Sequence, residues 1–119
     1  MHVATPEFQE YGDSHYGLGF RVLSYRGERV VGHGGGFIGC GTLMRMLPER
    51  GVGVAVFTNR DQSAAIEIAT NYVFDRACGK EPIPWFDRFR EQRRKAVAQP
   101  EVDSAGAQSD AAARYPAKP

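Results

Sequence analysis

A glycine cluster set between two alternating apolar segments constrains the fold of this chain most strongly. Six glycines lie between residues 32 and 41, and His33 stands at the head of the cluster. Glycine has no Cβ and tolerates positive φ, so such a cluster lets a backbone approach a ligand closely. A histidine at this place predicts the rim of an active site. The alternating segments on either side predict that the site lies on a β-sheet.

The segments around the cluster have the period of strands. Leu18, Phe20 and Val22 alternate with other residues, and a nearly continuous apolar run follows the turn at Gly51. That run predicts a central strand covered on both faces, because only such strands are apolar throughout. Residues 1–15 and the glycine-rich segment 34–41 are expected to be loops. One expected strand begins at Tyr16, and three more cover residues 29–33, 42–47 and 52–58.

One helix is expected after the last strand. Asp61 or Ser63 is the predicted N-cap, and Gly79 is placed to end the helix. The predicted apolar stripe consists of Ala65, Ile66, Ala69, Tyr72, Val73 and Arg76. The predicted fold class is therefore α+β (α/β sandwich type), with an antiparallel sheet of about four strands and a C-terminal packing helix.

Composition divides the chain. Its 42% hydrophobic and 24% charged residues are ordinary for a globular protein, but the apolar residues concentrate in 16–78. We expect residues 1–90 to form the folded portion and residues 91–119 to be a basic linker and a disordered tail. The net charge of +1 gives no reason to expect a nucleic-acid partner. No apolar run approaches the roughly 18 residues of a membrane span.

Other interpretations of the cluster are weaker. The segment 34–39 imitates a dinucleotide fingerprint, but no helix pattern follows it. The sequence His-Gly-Gly-Gly at residues 33–36 matches a lipase oxyanion loop, but the Gly-x-Ser-x-Gly motif that the lipase fold needs downstream does not occur. His15, His33 and Cys40 contain no close ligand pair, so we expect no metal and no cofactor. Cys40 and Cys78 are expected to be two buried thiols.

The order of these motifs resembles the C-terminal part of the serine β-lactamase and penicillin-binding-protein-like hydrolases. The resemblance covers about residues 14–90 and is carried by Tyr16-Gly-Leu-Gly-Phe, His33-Gly-Gly, Leu47-Pro, Thr58-Asn and Trp85-Phe-Asp-Arg-Phe. In that family the third active-site motif is Lys-Thr-Gly or His-x-Gly on a strand at a sheet edge. The resemblance implies that His33 is catalytic. It also implies substrate-binding roles for Gly34, Gly35, Gly36 and Phe37, with an oxyanion-binding N–H from Gly36 or Phe37.

The Ser-x-x-Lys motif of that family does not occur in these 119 residues. The resemblance therefore implies the C-terminal part of a serine hydrolase, partnered by an N-terminal part of the same domain and inactive alone. Its implied chemistry is acyl-enzyme hydrolysis of small-molecule ester, amide or peptide substrates. Gly34, where the family often has Thr or Ser, favours an esterase-like or peptidase-like relative. The alternatives are a free-standing, non-catalytic binding module for a peptide or small anion, and a degenerate remnant.

Overall fold

The fold is an antiparallel sheet followed by helices, seen in a computed structural model that describes residues 8–61 and 63–98. The chain divides into two compact units, Met1–Phe89 and Arg90–Pro119. The elements in chain order are β1 (Tyr11–Gly17), β2 (Phe20–Tyr25), β3 (Glu28–Phe37), β4 (Cys40–Leu47), β5 (Val52–Thr58), α1 (Ala65–Ala77) and α2 (Trp85–Ala98). The predicted α+β class is confirmed, with five strands rather than about four.

The strands form one sheet in the order β1-β2-β3-β4-β5, and each neighbouring pair is antiparallel. Leu18 and Gly19 connect β1 to β2 with φ of 51° and 81°, the positive values that two-residue hairpin turns require. The expected strand through Leu18 is therefore wrong, because a turn interrupts it. Leu18 is fully exposed, so its apolar side chain belongs to a turn and not to the core.

Two expected loops are strands. Strand β1 (Tyr11–Gly17) begins inside the expected loop 1–15, pairs with β2 and is held there by buried Tyr11 and Ser14. The segment 34–41 is also no loop, because β3 continues to Phe37 and β4 begins at Cys40. Glycines are poor strand formers alone, but here the ladder to β4 supplies their backbone partners.

The last strand, β5, lies at the edge of the sheet rather than at its centre, within the part of the chain that the structure describes. Its residues alternate between half-buried and exposed, and Phe57 is 77% exposed. The described residues of this chain therefore cover this strand on one face only, and cover for its second face stays a prediction. Val52 and Val54 pack against the core on one face only.

Helix α1 buries a different face from the predicted stripe. Tyr72 and Val73 are exposed, whereas Thr70, Asn71, Phe74 and Asp75 are buried. The prediction failed because polar residues are buried here, each with a hydrogen-bond partner. At the N-terminus Ala64 is the N-cap, and the nearby Ser63 hydroxyl accepts from the Ala65 N–H at 3.3 Å. Gly79, with φ of 62°, follows the helix as predicted.

The core is aromatic and closes around one buried carboxylate. Asp75 accepts hydrogen bonds from the Tyr25 hydroxyl at 2.6 Å, Arg26 Nη1 at 2.8 Å and Trp85 Nε1 at 3.0 Å. Burial raises the pKa of Asp75, but these hydrogen bonds outweigh that effect and leave its pKa below the usual value. The core residues are Tyr11, Leu23, Tyr25, Val30, Leu47, Phe74 and Trp85.

Residues 90–98 are helical, and Arg94 pairs with Glu91 at 3.1 Å on the surface. They fall mainly in the segment expected to be a basic linker, and the expected disordered tail, residues 99–119, lies outside the described residues. None of the helices in the described ranges is long and apolar enough to cross a membrane. Both cysteines are free, and Cys40 is exposed rather than buried because it begins β4 directly after a turn.

Candidate active site

Strand β3 has an open edge along its second half. Its pairing with β2 ends at Gly32, which lies opposite Arg21, whereas its pairing with β4 continues to Phe37. Among the described residues, His33–Phe37 therefore have a strand partner on one side only. An open strand edge presents backbone N–H and C=O groups that can pair with an extended ligand.

A pocket of about 290 Å³ lies where this open edge begins. That volume is just below the range that is typical of ligand sites, roughly 300–1,000 Å³. The pocket is lined by Tyr16, Arg21 and Leu23 from β1 and β2, by Gly32, His33, Gly34 and Gly35 from β3, by Thr42, Leu43 and Arg45 from β4, and by Ile66 and Glu67 from α1.

His33 is exposed and is held by an aromatic neighbour across the pocket. The Tyr16 hydroxyl lies 3.2 Å from His33 Nε2, and the two rings meet edge to face with centroids 5.8 Å apart. An imidazole can donate or accept this hydrogen bond according to its tautomer. The contact orients the ring while leaving it accessible to a ligand. A histidine so placed can donate a hydrogen bond to a ligand or transfer a proton.

The floor of the pocket is a row of residues that lie opposite one another across four strands. Tyr16, Arg21, Gly32 and Arg45 are successive cross-strand partners and so share one face of the sheet. A Cβ on Gly32 would lie 2.2 Å from the Met44 carbonyl oxygen and 2.8 Å from Arg45 Cγ. No side chain fits at Gly32 without a shift of backbone. The space above Gly32 is therefore already filled by the Met44 carbonyl and the Arg45 side chain.

Arg45 is held over Gly32 by a salt bridge to Glu67. Its two terminal nitrogens donate to the two carboxylate oxygens of Glu67 at 2.5 and 2.9 Å, and its side chain is only 7% exposed. Its guanidinium also lies 5.9 Å from the centre of the Tyr11 ring. Burial and the nearby Glu67 carboxylate raise the pKa of Tyr11 to about 12. Arg45 is thus a structural part of the pocket whose charge is already neutralised.

The structure brings His33, Gly34 and Gly35 together at the pocket. Gly36 and Phe37 continue the same strand but do not line the pocket, and Phe37 is 76% exposed.

Sequence reasoning assigned no role to the pocket residues Tyr16, Arg21, Gly32, Arg45 and Glu67. The sequence feature that could have indicated Tyr16 and Arg21 is the pair Leu18-Gly19. A two-residue turn there places Tyr16 opposite Arg21.

The fold and the pocket define an α+β domain with a ligand-sized site at an open strand edge. No group of three or more His, Cys, Asp or Glu residues suited to a metal occurs in the described ranges. The family model described as Beta-lactamase matches residues 2–76, and the chain belongs to this β-lactamase family of serine hydrolases. Comparison with curated proteins found no match, and comparison with solved structures found none either.

Proposed function

We propose that this chain supplies the third active-site motif of a β-lactamase-like serine hydrolase. The proposed reaction is acyl-enzyme hydrolysis of a small-molecule ester, amide or peptide. The observation that carries the proposal is His33 at the start of the open edge of β3, on a pocket and followed by Gly34 and Gly35. Family membership supports the same reaction class.

In the proposed mechanism a serine oxygen attacks the substrate carbonyl carbon, the leaving group departs, and water then cleaves the acyl-enzyme. His33 hydrogen-bonds to the nucleophile network or the substrate and so stabilises charge that develops during attack. The Tyr16 hydroxyl positions the imidazole at 3.2 Å. The substrate lies along the open edge of β3, where the N–H of Gly36 or Phe37 stabilises the oxyanion.

We propose that the nucleophile belongs to an N-terminal part of the same domain. Residues 1–90 would then be the remaining portion of that domain, and 91–119 a basic linker and tail. None of the five serines of this chain is followed by lysine three residues later. This chain has surface that an N-terminal part could cover. Strand β5 is an edge strand in the described ranges, and Met44 and Phe57 are 43% and 77% exposed on the face of the sheet opposite Arg45.

The proposal is tested by assaying the purified chain with a chromogenic cephalosporin and a p-nitrophenyl ester. We expect no turnover above background, because a hydroxyl nucleophile needs a base within hydrogen-bond reach. Joining the chain to a segment that carries Ser-x-x-Lys should restore turnover. Hydrolysis by the chain alone that disappears in a Ser14→Ala or Ser63→Ala variant would contradict the proposed division of the active site.

A second candidate is a free-standing binding module without catalysis. The observation that favours it is that the described pocket is formed by residues of this chain alone. The two candidates differ in the gene. An upstream reading frame that encodes Ser-x-x-Lys supports the hydrolase, whereas a promoter and ribosome-binding site directly before Met1 support the binding module.

A further inference from the structure

Three polar side chains of α1 face the sheet and are spaced about one helical turn apart. Glu67, Asn71 and Asp75 follow one another at intervals of four residues, so they lie on one side of the helix. Asn71 and Asp75 are fully buried, and the side chain of Glu67 is 25% exposed. Each accepts a hydrogen bond from a different strand, and the donors in the same order are Arg45 of β4 at 2.5 Å, Tyr11 of β1 at 2.7 Å and Tyr25 of β2 at 2.6 Å. We call these three pairs the polar ladder of α1.

The polar ladder fixes the position of α1 along the sheet. A helix rises about 1.5 Å per residue, so a slip by one turn moves each side chain by about 5–6 Å. Hydrogen bonds do not survive such a displacement, and all three pairs would break together. Apolar contacts are not directional and specify a register less sharply. Single buried asparagines fix the register of coiled-coil helices for the same reason.

The middle pair shows that the ladder contributes position more than stability. Asn71 Oδ1 accepts from the Tyr11 hydroxyl, but Asn71 Nδ2 is buried without a hydrogen-bond partner among the described residues. A buried donor without a partner is unfavourable. Replacing both members of a buried pair by apolar groups of the same shape can be nearly neutral. An apolar pair at these two positions would therefore hold the helix about as strongly and would fix its register less.

The first pair of the ladder connects α1 to the strand that carries His33. Glu67 lines the pocket and holds Arg45 through both of its carboxylate oxygens. Arg45 lies directly opposite Gly32, and its Cγ is 2.8 Å from the place that a Cβ on Gly32 would occupy. The Arg45 side chain therefore packs on the backbone of β3 one residue before His33. The other two pairs of the ladder do not line the pocket, so they act on it through the position of the helix.

We infer that the polar ladder positions the candidate site: it fixes the register of α1, and this register holds Arg45 and Glu67 against β3 beside His33. Tyr11 and Asn71 are then positioning residues that act on His33 without touching it. The inference rests on the proposed function for the role of His33, and it adds that α1 controls the geometry around that residue. The competing explanation is that the ladder only stabilises the packing of α1. Its loss would then lower stability and leave the surroundings of His33 unchanged.

The test replaces the middle pair by apolar groups, in the double variant Tyr11→Phe/Asn71→Leu of the protein at the length in which its gene produces it. Proton–carbon correlation NMR measures the imidazole Cε1–H signal of His33, which is assigned by its loss in His33→Gln. We expect this signal to shift or to split in the double variant, because α1 is no longer held in one register. The Tm should stay within about 5 °C of the wild type, because both partners are replaced together. In the complete enzyme kcat/KM should fall by about 10- to 100-fold, the cost of a small misplacement of a reacting group.

Thr70→Val is the matched control. Thr70 is also fully buried on α1, but its hydroxyl donates within the helix to the Ile66 carbonyl at 2.8 Å. The variant therefore removes a buried hydroxyl from the same helix without removing a hydrogen bond to the sheet. It should leave the His33 signal unchanged.

A folded double variant with the His33 signal of the wild type would overturn the inference, and so would an equal shift in Thr70→Val. If the double variant does not fold, Tyr11→Phe alone decides: a shifted His33 signal supports the inference, and an unchanged signal overturns it. These outcomes do not depend on hydrolysis. A shifted signal in a complete enzyme without turnover would refute the proposed function and leave the role of the ladder standing, whereas turnover with an unchanged signal would do the reverse.

Discussion

Replacing Asp75 by Asn should destabilise the fold more than any other single loss of charge in the first unit. Asp75 is fully buried, and its Oδ2 accepts from Trp85 Nε1 at 3.0 Å and the Ile83 N–H at 3.3 Å. Its Oδ1 accepts from the Tyr25 hydroxyl and Arg26. An amide keeps only one oxygen, so two of these four donors would face an NH₂ group instead.

Each buried donor left without a partner costs about 1–3 kcal/mol. Two such donors, with part of the Arg26 attraction, give about 3–5 kcal/mol, which agrees with the range for breaking a buried pair. Only part of the Arg26 attraction is included because its side chain is 21% exposed and water replaces some of the lost interaction. In a domain of this size the loss lowers Tm by about 12 °C or more.

The assay is thermal and urea unfolding of the wild type, Asp75→Asn and Asp13→Asn. Asp13 lies exposed on β1, so its variant removes the same charge and should stay within about 0.5 kcal/mol of the wild type. The pKa of Asp75 is held below that of an unfolded Asp, so its contribution is present above about pH 4 and is lost as pH falls through the folded pKa. In Asp75→Asn the free energy of unfolding should therefore fall less steeply as pH decreases below about 4. Equal stability of the two variants would refute the reasoning.

Three further outcomes are expected. Gly32→Ala should destabilise by about 1–3 kcal/mol or more because its Cβ would meet backbone, whereas Gly34→Ala, with 3.5 Å to its nearest neighbour, should be nearly neutral in the same unfolding assay. Folding raises the pKa of Tyr11 from 10.0 to about 12, so its contribution to the free energy of unfolding is complete below pH 10 and is lost between pH 10 and 12. Tyr11→Phe should therefore reduce the fall in stability over that pH range, and an unchanged pH profile of stability would contradict the raised pKa of Tyr11. Tyr16→Phe should lower kcat/KM of the complete enzyme by roughly 3- to 30-fold, the loss of one hydrogen bond, without changing its Tm by more than about 2 °C; full activity would exclude a positioning role.

The sequence predicted the elements whose patterns are local. The alternation in β4, the apolar residues of β5 and the helix end at Gly79 all depend on neighbours in the chain. Strand β1 was missed because its residues are mostly polar, and its extended conformation depends on pairing with β2. The buried face of α1 was missed because Asn71 and Asp75 accept hydrogen bonds from the hydroxyls of Tyr11 and Tyr25, which are 60 and 50 residues away.

At the candidate site, too, the sequence predicts residues that form a local motif and misses residues that distant contacts bring together. His33, Gly34 and Gly35 are adjacent in sequence, and a motif could find them. Arg45 is a different case, since its burial requires Glu67 from α1, and no local pattern predicts a buried arginine. Arg21 lines the pocket only because β2 pairs with β3 and this pairing ends with Arg21 opposite Gly32. Contacts of this kind depend on register, which a one-residue shift would abolish.

The central claim, that His33 acts in hydrolysis, is tested most directly by paired kinetics and unfolding of His33→Ala in the complete enzyme. We expect kcat/KM for acylation to fall by about 10²- to 10⁴-fold, the usual contribution of a positioned acid–base group. Stability should change by less than about 1 kcal/mol because the side chain is exposed. His15→Ala, on β1 and outside the pocket lining, should leave the rate unchanged. A His33→Ala enzyme that is destabilised but fully active would contradict the account.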